Sequence, residues 1–225
     1  MTTSIAKNLL NIKQYLPTEV TLVAVSKTKP LADLQDAYDA GQRVFGENKV
    51  QELREKEPAM PKDVQWHMIG HMQSNKVKYI AAYIDLIHGV ESIKLLKEIN
   101  KQAAKNNRVI KVLLQFYIAN ETTKFGLQLD EAKEILSSAE FKDFQNVQVA
   151  GVMGMASNTE DKEQVLKEFQ SLKSIFNTLK TNHFPSEDYF KEISMGMSGD
   201  YKIAIEAGST MIRVGSSIFG KRNYV

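Results

Sequence analysis

Short apolar, β-branched runs recur along the chain, and each gives way to a stretch whose apolar positions return every three or four residues. The first run, Thr21-Leu22-Val23-Ala24-Val25-Ser26-Lys27, reads as a buried strand that turns polar just before the turn Thr28-Lys29-Pro30. Helical signals follow over residues 31–40, with Gly41 as C-cap. Further strands are expected over residues 43–48, 64–70, 84–90, 109–118, 147–155, 189–195 and 211–218. Helices are expected between them: near 49–56, from Ser74, over 92–106 with Ile93, Leu96 and Ile99 on one face, over 130–139 with Asp130 as N-cap, over 160–179 and over 199–207. Residues 4–15 read as an extra helix placed to cover the bottom of a barrel.

Eight strands alternating with helices is the count for an α/β fold of the (β/α)8 TIM-barrel type, with that extra N-terminal helix. A doubly wound open sheet alternates in the same way, but no glycine-rich dinucleotide fingerprint follows the first strand. The prolines are scattered and no Gly/Ser-rich linker occurs, so residues 1–225 are expected to form one domain.

Composition narrows the function classes. With 43% hydrophobic and 25% charged residues the chain has a globular makeup. Its 29 basic and 27 acidic residues leave a formal charge of +2, which gives no global attraction to nucleic acid or anionic membrane. The absence of cysteine excludes disulfides, thiolate metal sites and a cysteine nucleophile, and suits a cytoplasmic location. Residues 1–8 lack a signal-peptide core, and no segment approaches the ~20 apolar residues of a membrane span.

In a (β/α)8 barrel, chemistry sits at the carboxyl ends of the strands. Lys27 ends the first strand, where desolvation would favour the neutral amine and so Schiff-base formation with a carbonyl. Glycines and serines after strands seven and eight, among them Ser198, Gly215 and Ser216, are what a phosphate site requires. The first and eighth strands are neighbours in a closed barrel, which brings this grip within one cofactor's length of Lys27. Arg213 lies two residues before Gly215 and faces the same side; against a pyridine nitrogen it would donate a hydrogen bond and keep that nitrogen unprotonated. His67 and His71 are spaced i, i+4 but fall in a strand-like run, so no metal site is expected. His88 and His183 read as unaccompanied structural residues, methionines 153, 155, 195 and 197 as core or pocket lining, and the lysine-rich stretches as solvated helix faces.

Taken in order, the motifs Leu22-Val23-Ala24-Val25-Ser26-Lys27-Thr28-Lys29-Pro30, Phe45-Gly46-Glu47-Asn48, Trp66-His67-Met68-Ile69-Gly70-His71-Met72-Gln73-Ser74-Asn75-Lys76, Ser194-Met195-Gly196-Met197-Ser198, Gly208-Ser209-Thr210-Met211-Ile212-Arg213-Val214-Gly215 and Ile218-Phe219-Gly220 resemble the pyridoxal phosphate homeostasis proteins, the YggS/PROSC-like family. The resemblance implies a barrel similar to the N-terminal domain of alanine racemase. It implies pyridoxal 5'-phosphate as a Schiff base on Lys27, phosphate contacts from Ser198, Gly215 and Ser216, the ring nitrogen near Arg213, and Asn48 close to the ring. It further implies a role in intracellular cofactor homeostasis and amino- and keto-acid balance without established catalysis, with apo-enzymes as recipients of the cofactor. Val225 follows the eighth strand closely, so the second domain of alanine racemases is not expected. The competing reading is a pyridoxal-phosphate-dependent amino-acid racemase, which needs a second acid–base group; Tyr117, standing where the family usually has Asn, or a histidine would have to supply it.

Overall fold

The computed structural model describes residues 3–119 and 126–220. Its strands are β1 (Thr21–Val25), β2 (Val44–Glu47), β3 (Gln65–Met68), β4 (Leu86–Val90), β5 (Ile110–Tyr117), β6 (Val147–Met155), β7 (Glu192–Ser194) and β8 (Met211–Val214). Each pairs in parallel with the next, and β1 pairs with β8 from Thr21↔Met211 to Ala24↔Val214, so the barrel is closed. Parallel strands covered on both faces need apolar residues in both directions, which is why their sequences read as continuous apolar runs. Val23, Leu86, Leu113, Ala150, Met153 and Met211 fill the interior, while Leu22, Ala24, Phe45 and Trp66 face the helices.

The helices are α1 (Ser4–Lys13), α2 (Leu31–Asp39), α3 (Val50–Lys56), α4 (Ile93–Lys105), α5 (Leu129–Ser137), α6 (Ala139–Lys142), α7 (Lys162–His183), α8 (Tyr201–Glu206) and α9 (Ser216–Phe219), with 3-10 turns at Glu57–Ala59 and Ser74–Tyr79. Thr3, Ser92 and Asp161 accept from backbone N–H groups in the first turns of α1, α4 and α7. The N-cap of α5 is Gln128, in a reciprocal capping box with Glu131; Asp130, expected as the cap, lies inside the first turn. α1 packs against α2 and α9, and Asn8 Nδ2 donates to Ile218 O at 3.0 Å. It therefore takes a place in the outer layer where β8 meets β1, beside an α9 too short to cover that seam, and does not simply floor the barrel.

Besides a register shift of β4 against β5 between Ile87 and Val90, two irregularities shape the interior. The β5–β6 register shifts between Val112 and Leu113, opposite Gly151, whose missing side chain is required: a Cβ there would lie 1.8 Å from Glu192 O. The bulge lets both Ala150 and Met153 face inward. At the other irregularity β7 is short, paired to β8 only through Ser194↔Met211. Backbone bonds from Thr210 N to Ile193 O at 3.1 Å, Met195 N to Met211 O at 3.1 Å and Arg213 N to Gly196 O at 2.9 Å hold this short seam, and side chains reinforce it. Ser209 Oγ lies 2.9–3.2 Å from the carbonyls of Ile193, Met195 and Met211, and Thr210 Oγ1 accepts from Ile193 N at 2.8 Å. Strands expected to run to Gly70, Met195 and Ile218 end earlier, and the expected tail of β8 is α9.

Candidate functional site

A cavity of about 440 Å³ opens at the carboxyl ends of the strands. Lys27, Asn48, Ser198, Arg213, Gly215 and Ser216, the six residues singled out from the sequence, all line it. Lys27 lies two residues past β1 on the side of Val23 and Val25, half-buried, and its turn continues through Thr28 in the left-handed region at φ 63°. Gly196, at φ 95°, turns the chain from β7 towards Ser198; a Cβ on it would lie 2.6 Å from Ala204 Cβ. Ser198 Oγ accepts from Gly215 N at 3.2 Å, which ties the loop after β7 to the one after β8 and leaves the Ser198 hydroxyl proton available to a ligand.

Asn48 follows β2 so closely packed against β3 that a Cβ on Gly70 would lie 2.6 Å from Asn48 O. Asn48 Oδ1 is buried without a hydrogen-bond partner among the described residues, an acceptor with its capacity unspent. Tyr117 shares the parity of Gln115 on β5, yet only Gln115 is among the described cavity-lining residues. Met153, Met155 and Met197 contribute apolar wall; Met195 is fully buried in the helix-facing core. At the mouth, His71 Nδ1 lies 3.3 Å from Glu91 Oε1.

Arg213 is only 4% exposed. Its Nη1 donates to Ser194 Oγ at 2.6 Å and its Nη2 to Gly154 O at 3.1 Å, both neutral acceptors. Burial pushes its pKa down to about 10, which still leaves it a cation at neutral pH. Below it runs a row of buried polar groups that the sequence does not reveal. Ser194 Oγ is 3.0 Å from His88 Nδ1, and His88 Nε2 is 3.1 Å from His67 Nδ1. Burial lowers His67 to about 3 and His88 well below its ordinary value, so both imidazoles are neutral. His88 is thus not the unaccompanied residue expected: its partners come from β3 and from Ser194, 106 positions away. With both rings neutral, one proton order satisfies every contact: Arg213 to Ser194, Ser194 to His88, His88 to His67.

A closed parallel barrel with a lysine just past its first strand, hydroxyls and glycines after its last two and a buried arginine between them defines a class, and the comparisons agree with it. A family model described as the alanine racemase N-terminal domain matches residues 2–223, and the chain belongs to that family. Alanine racemase of Clostridium difficile 630 shares the fold at 16% identity and TM-score 0.78, covering 98% of this chain and 60% of that one. Within the family the pyridoxal phosphate homeostasis protein of Vibrio alginolyticus is 39% identical over 216 residues, 92% of this chain and 89% of that protein. PipY of Synechococcus elongatus PCC7942 is 34% identical over 96% of this chain and 100% of that one, with TM-scores of 0.89 without pyridoxal phosphate and 0.86 with it bound. The chain belongs to the pyridoxal phosphate homeostasis protein family.

Proposed function

We propose that the chain is a pyridoxal 5'-phosphate-binding protein that holds the cofactor on Lys27 and takes part in intracellular cofactor homeostasis without turnover of its own. The observation that carries this reading is the donor set of one cavity: a lysine amine, a buried arginine whose described acceptors are all neutral, and hydroxyls beside glycine backbone. Bound there, pyridoxal phosphate supplies an aldehyde that condenses reversibly with a primary amine. Lys27 is that amine. Ser198 and Ser216 hydroxyls, beside the backbone at Gly215, would hold the phosphate, and the remaining N–H groups of Arg213 would be available to the ring nitrogen. Asn48 Oδ1, buried without a described donor, supplies an acceptor beside the ring.

The same residues speak against a racemase. No described tyrosine lines the cavity, His67 and His88 are committed to each other and to Ser194, and His71 sits exposed at the mouth beside Glu91. The proposal includes release of the cofactor to apo-enzymes in the cytoplasm, from a single domain spanning residues 1–225. No helix among the described residues is long and apolar enough to cross a membrane.

Borohydride reduction of the loaded protein followed by peptide mapping tests the reading: a pyridoxyl mass on Lys27 is expected. Wild-type cofactor occupancy in Lys27→Ala would overturn it. Amino acids incubated with the protein in heavy water are expected to show no catalytic α-proton exchange.

A further inference from the structure

α3 carries the charged pattern of a solvated helix, but Lys56 at its end is only 6% exposed. All three of its N–H donors are spent: on Ser26 O at 2.9 Å, on Glu47 Oε1 at 2.8 Å and on Glu52 Oε2 at 2.9 Å. Glu47 Oε1 also accepts from Ser26 Oγ at 2.6 Å, and Glu52 Oε2 from Thr28 N at 2.6 Å. Ser26 O belongs to the peptide before the Lys27 Cα and Thr28 N to the peptide after it. One ion cluster outside the barrel therefore holds both peptide planes that set the backbone of Lys27, with Thr28 kept at φ 63°.

We propose that Lys56, Glu47 and Glu52 are positioning residues that aim the Lys27 amine into the cavity. The inference rests on the reading of Lys27 as the cofactor's anchor. A cluster this deep is costly to build and, on its own, is weak evidence for stability. A geometric role accounts for its placement against the one turn that carries the reactive amine.

The cluster also titrates. Burial raises Glu47 to about 7 against the opposing pull of Lys56 and Ser26, with Glu52 adding to the rise. Those three groups are what faces its carboxylate. Burial works against ionisation of Glu52 too, but the Thr28 N–H and Lys56 outweigh it and keep that group ionised. A proton on Glu47 removes the acceptor's charge from both bonds, leaving the one from Ser26 neutral and the one from Lys56 charged only at its donor, so the grip on Ser26 loosens as pH falls through about 7.

The test is the rate at which the apo-protein captures pyridoxal phosphate, followed by absorbance from pH 6 to 8, with the labelled residue mapped after reduction and the unfolding midpoint measured in parallel. Lys56→Met is expected to capture about tenfold more slowly, and Glu52→Ala several-fold more slowly, with Lys27 still the labelled residue. Glu47→Gln keeps an acceptor oxygen but cannot ionise, so the ratio of wild-type to variant rate should rise across about pH 7. Wild-type rates in Lys56→Met and Glu52→Ala, or a flat ratio for Glu47→Gln, would overturn the proposal while leaving Lys27 as anchor. If Lys56→Met does not fold, the two glutamate variants decide. A wild-type protein unlabelled at Lys27 would overturn the functional reading and this inference together.

Discussion

His67 and His88 sit at the pH-sensitive centre of the molecule. Each is neutral when folded and takes a proton at about 6.5 when unfolded, so the unfolded chain binds more protons below that value. Their contribution is complete above pH 6.5 and is lost as pH falls towards the depressed folded values. Glu47 has the opposite sign: its raised folded pKa makes stability fall as pH rises from about 4.5 to about 7. Between pH 4.5 and 6.5 these two imidazoles oppose this one carboxylate, and the three groups together contribute a rise in stability with pH of about 1.4 kcal/mol per unit. Urea unfolding of His67→Gln over this range should show that slope reduced by about one proton, while a slope equal to wild type would contradict the neutral pair. The imidazole row was not legible in the sequence, because neither histidine carries a local signal and their meeting depends on strand register. Lys27 and Arg213 were legible, since a strand end and an i, i+2 parity suffice once a barrel is assumed.

At the scale of elements, side chains reinforce the short backbone ladder of the β7–β8 seam. The Ser209 hydroxyl has one proton for three carbonyls within reach, so it donates to one at a time. Ser209→Ala should cost about 1–2 kcal/mol and speed amide exchange in β7 more than in β5. Gly196→Ala places a Cβ 2.6 Å from Ala204 at a positive φ, and should cost about 2–4 kcal/mol while weakening cofactor binding through Ser198. Denaturation curves and a cofactor titration check both. Strand periodicity found the eight strands but overran β7 and β8, because an apolar run does not show where ladder pairing stops. The strand expected to run on through Ser216-Ser217-Ile218 instead gives way to α9. The charged pattern of α3 misplaced Lys56 for a related reason: periodicity gives the face, whereas burial came from Glu47 on a neighbouring strand.

For the whole molecule, ligand and fold share one free energy. Pyridoxal phosphate at about 100 times its Kd should stabilise the protein by about 2.7 kcal/mol. That corresponds to a rise in Tm of about 5–10 °C, and Lys27→Ala should lose most of it in a thermal melt. The closed topology was readable only as one of two α/β arrangements, since pairing of β1 with β8 leaves no mark in either strand alone. Yet that pairing has a consequence for how the protein comes into being. Lys27 leaves the ribosome 171 to 189 residues ahead of Ser198, Arg213, Gly215 and Ser216. On the proposed function, a nascent chain carries the Lys27 amine without the residues that would retain the cofactor, and loading is expected to wait until translation has delivered the last strand.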